Sequence, residues 1–279
     1  MPIHDQGYRR YGGQREPHGR TWWVIARAGI MERLRERKFL GLLLVAWGQF
    51  IVRAVLLYIA SNYAQASFLA PTASTFREFL GVQMIFVFFI TLYVGSGLIA
   101  NDRRANALQI YLSKPLTRVE YVVGKLTTLV IFLTAVTWVP AILLLILQML
   151  FAGNLNFIKD NLFLFPAITV FSAVIVLTTS FSMLALSSLT KSRRFVAVMY
   201  AGLLFFTAAM SQVLSAMTGT RVWAIISPGD VLEVFSRVIF RIPGPRDLPF
   251  PAAVVFVVAL LAASIWVLER RVRGTEVVT

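Results

Sequence analysis

Six runs of about 20 apolar residues divide this chain, each long enough for a helix rising 1.5 Å per residue to cross a hydrocarbon layer of about 30 Å. They extend from Phe39 to Ile59, Phe79 to Ala100, Leu126 to Phe151, Phe163 to Leu189, Phe195 to Met217 and Pro251 to Leu268. No water is available at that depth to satisfy backbone N–H and C=O groups, so such runs must close their hydrogen bonds internally, as helices. The fold class is therefore all-α: a polytopic membrane protein with six transmembrane helices. Composition agrees, since only 14% of the 279 residues are charged and the mean hydropathy is +0.73, whereas a soluble domain carries about 25% charged residues.

The bases are distributed unevenly. If the N-terminus faces the cytoplasm, nine Lys and Arg precede the first span, five lie between spans two and three, three between four and five, and three follow the sixth. The opposite side holds Arg77, Lys159, Arg221, Arg237, Arg241 and Arg246. Cytoplasmic loops accumulate Lys and Arg, so both termini are expected in the cytoplasm and the protein in the cell inner (plasma) membrane. The same pattern assigns the net charge of +14 to anionic membrane lipid rather than nucleic acid, for which no loop shows interleaved basic and aromatic residues.

Four further divisions follow. Residues 1–20 form a polar, Gly- and Arg-rich tail expected to be disordered, without the apolar run of a signal peptide, so the first span is expected to direct insertion. Residues 21–38 predict an interfacial amphipathic helix, capped by Thr21 and carrying Trp22, Trp23, Ala26, Ile30 and Leu34 on one side. It would either anchor in the membrane surface or offer a contact for a cytoplasmic partner. Residues 39–279 form the six-helix transmembrane domain. Its long outer segment, 218–250, predicts a short amphipathic helix capped by Asp230 and containing Val231, Leu232, Phe235, Val238 and Ile239.

Catalytic chemistry finds few residues to work with. There is no Cys, and both histidines, His4 and His18, lie in the tail, so neither a Cys- or His-based metal site nor a Ser/His/Asp set is expected in the spans. No GxxxxGK[ST] phosphate loop occurs, and Gly95 and Gly97 lack the following Lys and Ser/Thr. Arg53 is the one ionisable residue at membrane depth. It is a weak candidate for lining a substrate path, against snorkelling or packing at the outer surface. Gln49, Gln83 and Gln148 read as hydrogen-bond partners between helices.

The inner loop 101–125, NDRRANALQIYLSKPLTRVEYVVGK, carries the most information. Asn101 or Asp102 can cap a short helix that aligns Ala105, Leu108 and Leu112, and Pro115 ends it. Thr117 and Glu120 then form a capping box that starts the third span. This succession, a charged segment, a Leu-containing helix, Pro-Leu-Thr-Arg, then Gly124-Lys125, resembles the pattern of type-2 ABC transporter permeases. One departure stands out: many members carry an acidic residue and a Gly-Thr pair ahead of the short helix, where this chain reads Asp102, Arg103, Arg104, Ala105, Asn106.

The resemblance implies a coupling helix over 101–112 that docks on a separate ABC ATPase subunit, with Asp102, Arg103, Arg104, Ala105, Leu108, Leu112, Pro115 and Arg118 as the coupling residues. It implies a permease, not an enzyme, that pairs with a second permease copy, most simply itself, and works as an exporter. ATP and Mg would be bound by the ATPase, with no cofactor in this chain. Two other functions stand beside it: a secondary transporter, disfavoured by the lack of intramembrane Asp, Glu or His, and a membrane anchor or assembly factor without transport.

Overall fold

The computed structural model describes residues 21–62, 72–107, 116–152, 162–243 and 248–272. Among these there is no strand. Six helical segments are long and apolar enough to cross a membrane: Arg37–Asn62, Ala73–Arg104, Arg118–Phe151, Leu164–Leu189, Arg193–Thr218 and Phe250–Arg271. Each overlaps a predicted run. The second, third and fourth have 56%, 50% and 56% of their apolar window buried, the first, fifth and sixth only 11%, 17% and 22%. The middle three spans therefore form the core of this chain, and the others present their apolar side chains outward.

Two spans are not continuous helices. The second consists of α3 (Ala73–Ile90), a π-helical turn at Thr91–Gly95, and, after a bend, α4 (Ala100–Arg104). The third consists of α5 (Arg118–Val136) and α6 (Trp138–Ala152), interrupted at Thr137. Pro140 explains the second break: its ring meets the carbonyl four residues earlier, that of Val136, where α5 stops. The Thr137 hydroxyl and amide both donate to the Leu133 carbonyl, at 2.8 and 2.9 Å.

The remaining helices are α1 (Thr21–Leu34), α2 (Arg37–Asn62), α7 (Leu164–Leu189), α8 (Arg193–Thr218), α9 (Pro228–Ile239) and α10 (Phe250–Arg271). A left-handed Gly219, φ 66°, closes α8, a conformation only glycine adopts without strain. Ser227, not the predicted Asp230, caps α9: its hydroxyl accepts from the Asp230 amide, and Pro228 occupies the first helical position, where a missing N–H costs nothing. Val231, Leu232 and Phe235 are buried, so α9 docks its apolar face on the spans.

The helix before the first span ends at Leu34 rather than Lys38, and its packed face differs from the predicted one. Trp22, Ile25, Ala26, Gly29, Ile30 and Arg33 turn inward, whereas Trp23 and Leu34 are exposed, at 44% and 37%. Small residues decide this. A Cβ on Gly124 of α5 would lie 2.7 Å from the Trp22 carbonyl oxygen and 2.9 Å from Ile25 Cβ, and one on Gly29 would lie 2.9 Å from Thr128 Oγ1. Close backbone approach through small residues is how helices associate where no water drives them together.

Gly124→Ala therefore sets two effects against each other. Alanine favours a helix over glycine by about 1 kcal/mol, whereas overpacking against a backbone carbonyl that cannot swing aside costs about 1–3 kcal/mol. The steric cost wins, and the variant should unfold at lower temperature in detergent. Gly202→Ala in α8, with nothing within 4 Å of the added carbon, should be neutral or stabilising in the same measurement.

Candidate functional site

At the Arg-rich end of the bundle, the segment joining the second and third spans is fixed to its neighbours by polar contacts. The π-helical turn and the bend after it leave backbone amides without helical partners. The Ser187 hydroxyl of α7 accepts from the amides of Ile99 and Ala100, both at 3.1 Å, and donates to the Ser96 carbonyl at 3.1 Å. The predicted caps Asn101 and Asp102 do not perform this role: α4 starts at Ala100, with no side-chain cap. Glycines make the approach possible, since a Cβ on Gly95 would sit 2.4 Å from Met183 Cγ of α7.

Asp102 turns toward α5. Its Oδ2 accepts from the Tyr121 hydroxyl and pairs with Lys125 Nζ, both at 2.7 Å, and the ammonium lies 5.6 Å from the centre of the Tyr121 ring. Arg103 donates to the Ser188 carbonyl at the end of α7. Arg193, at the start of α8, donates from Nη2 to the Tyr93 carbonyl at 2.6 Å and from Nε to Ser96 Oγ at 3.2 Å. The Tyr93 hydroxyl in turn donates to Glu36 at 2.5 Å, and Glu36 pairs with Arg33 of α1. The Tyr93 bond above all holds the Glu36 carboxyl below its ordinary pKa, against the opposing effect of burial and with Arg33 assisting.

The predicted coupling residues thus divide. Asp102 and Arg103 are half-buried anchors, whereas Arg104, Ala105 and Arg118 are exposed. The single helix expected over 101–112 is interrupted: α4 ends at Arg104, and Asn106 takes a left-handed φ of 51° before helix resumes at Ala107. Asparagine tolerates that conformation better than most residues. Leu108, Leu112 and Pro115 lie outside the described residues. The capping box is present: Thr117 Oγ1 accepts from the Glu120 amide at 3.2 Å, and Glu120 accepts from the Thr117 amide at 2.9 Å. Glu120 also accepts from the Thr21 hydroxyl at 2.7 Å, which ties the start of α1 to the start of α5.

Sequence reasoning missed Glu36, Tyr93, Ser96, Ser187 and Ser188. The signal for them is weak: Glu36 stands in the charged run Arg35-Glu36-Arg37-Lys38, and the others are polar residues within apolar runs where the pattern predicts a continuous helix. Arg53, the candidate substrate residue, pairs with Glu78 at 3.5 Å and joins the first two spans near the opposite end. Gln83 donates to the Ala46 carbonyl at 3.3 Å, an interhelical bond as predicted. No cluster of His, Cys, Asp or Glu able to hold a metal occurs among the described residues.

Six apolar helices with a short polar segment locked across four of them define a polytopic membrane protein. The sequence matches the family described as ABC-2 family transporter protein over residues 23–271. The chain belongs to that family and is a membrane subunit of an ABC transporter. No curated protein matches it.

Anchoring and exposed positions should respond differently to truncation. Asp102→Ala strands the Lys125 ammonium and the Tyr121 hydroxyl and should lower stability by roughly 1.5–3 kcal/mol, the range for hydrogen bonds to charged groups. Arg104→Ala removes an exposed side chain and should stay within about 0.5 kcal/mol of the parent. Thermal unfolding of the two purified variants distinguishes the roles, and equal losses would contradict the division.

Proposed function

We propose that this chain is the permease subunit of an ATP-driven exporter, working as a pair of copies with two separate ATPase subunits that bind ATP and Mg. The observation that carries the reading is the fixed geometry of residues 96–104 and 117–125. Asp102 is tied to α5, Arg103 to α7, and the bend before α4 to both α7 and α8. A push on the loop between them would be felt by four spans at once.

Such a loop suits the task of a coupling element. Transport needs two packings of the spans close in energy and a stiff part that biases them, not a reactive side chain. Arg104, Ala105 and Arg118 are among the exposed residues at this end, and the four-residue spacing of Leu108 and Leu112 in the sequence is the one that would place both on one face of a helix. The excess of bases at the same end supports a cytoplasmic location for the loop and both termini, in the cell inner (plasma) membrane. The Arg53–Glu78 pair supports a packing role for Arg53 rather than contact with cargo.

Replacing Leu108 and Leu112 together by Glu tests the reading. Burying two leucines in an apolar groove contributes roughly 3–6 kcal/mol, so their loss should abolish stable docking. The double variant should insert and express normally, yet fail to co-purify with a co-expressed ATPase and show no transport-coupled ATP hydrolysis. Parental levels of both would refute the coupling role.

A further inference from the structure

Helix α8 carries two unlike surfaces in succession. From Tyr200 to Ala208 it lines an apolar groove of about 510 Å³, walled also by Phe88 of α3, Thr179 of α7 and Leu232 of α9. Three residues beyond Ala208, Ser211, Gln212 and Ser215 line a second cavity of about 310 Å³, whose other walls carry Arg221, Asp230, Glu233 and Arg237. At helical rise the two surfaces are about 4.5 Å apart along the axis, so they form one track. The charged cavity begins about 27 Å from the Arg193 end of α8, close to the full hydrocarbon thickness of about 30 Å. The groove is thus at membrane depth and the charged cavity at the far surface.

The polar part presents both signs of charge. Arg221 and Arg237 face the cavity together with Asp230 and Glu233. Glu233 is shared by Arg237 and, at 3.4 Å, by Arg77 of α3, while Asp230 accepts from the Ser211 hydroxyl at 2.7 Å. Guanidinium forks match phosphate oxygens, and carboxylates match an ammonium group. Hydrocarbon tails alone would use only the groove, and an apolar span of a second copy would offer no group of complementary charge to the guanidinium and carboxylate groups beside it.

We propose that this track binds an amphiphile with a zwitterionic headgroup, its acyl chains between α3, α7 and α8 and its phosphate and amine in the cavity lined by Arg221, Asp230, Glu233 and Arg237. That the amphiphile is cargo, held with its head toward the far surface, rests on the exporter reading. Binding itself does not, and it can be measured without an ATPase.

The full chain in lipid nanodiscs is exposed to phosphatidylethanolamine carrying a diazirine in its acyl chain, and separately to phosphatidylglycerol and diacylglycerol with the same chain. After illumination, labelled peptides of α3 and α8 are quantified by mass spectrometry. Phosphatidylethanolamine should label them about fivefold more than either other lipid, because phosphatidylglycerol offers the phosphate without the ammonium and diacylglycerol offers neither. Leu203→Trp, which fills the groove without touching the charges, should remove that labelling. The paired change Glu233→Gln with Arg237→Gln should reduce it to the phosphatidylglycerol level. Equal labelling by all three lipids would mean ordinary bilayer contact, crosslinks joining two copies would mean a dimer face, and absence of labelling would mean no site; each overturns the proposal. Should the paired variant not fold, Leu203→Trp and the headgroup comparison still decide. None of these changes touches the loop, so ATPase co-purification should persist in all of them, and failure here leaves the coupling reading standing.

Discussion

The hydroxyl of Ser187 permits the geometry on which the rest of the molecule depends. A helix cannot stop inside a membrane unless its freed backbone groups find partners, because each unsatisfied group in hydrocarbon costs several kcal/mol. Ser187 supplies them from a neighbouring span, accepting from Ile99 and Ala100 and donating to Ser96. The second span can therefore leave its helical course at the Arg-rich end and set α4 against α7 and α8. Without this exchange the chain would run straight into the loop, and Asp102 and Arg103 would have no fixed relation to α5 and α7.

Around that bend the protein combines stiffness with places that can yield. The stiff parts are close-packed: Gly95 against Met183, Gly124 against the backbone of Trp22, and the chain of contacts from Arg193 through Tyr93 to Glu36 and Arg33. The yielding parts are interruptions in the helical ladder, the π-helical turn at Thr91–Gly95 and the Pro140 break at Thr137, both within spans of the core. Such interruptions are where a helix bends at least cost. The proposed movement between two packings calls for both properties, and here they sit on the second and third spans, the two joined by the loop.

How much of this was legible in the sequence depended on whether the signal was local. The six spans were, because length and hydropathy are properties of each run alone, and the Thr117–Glu120 capping box was, because its partners are three residues apart. The face of α1 was not: Trp23 and Leu34 are as apolar as Trp22 and Ile30, and only the fit of Gly29 and Gly124 to the opposing backbone decides which side turns inward. The caps at Asn101 and Asp102 failed for a related reason. With Ser187, nearly ninety residues away, holding the amides of Ile99 and Ala100, the helix starts ahead of both predicted caps, at Ala100. The amides of Arg103 and Ala105 bond to helical carbonyls, and Asp102 pairs with Lys125. The Arg53–Glu78 pair and the mixed-charge cavity under α9 likewise join residues whose proximity only tertiary packing creates.

The central claim is that movement of the loop is transmitted through these fixed contacts to the far end of the bundle. In this Cys-free chain, spin labels can be placed singly at exposed Ala105, beside the loop, and at exposed Val222, at the opposite end. Distances between the two copies proposed to form the transporter are then measured by pulsed electron paramagnetic resonance, without nucleotide and with ATP bound but not hydrolysed. The account predicts that the Ala105 distance shortens and the Val222 distance changes in the same state, and that Arg103→Gln preserves the first change while diminishing the second. A Val222 distance that stays fixed while the Ala105 labels approach each other would contradict it.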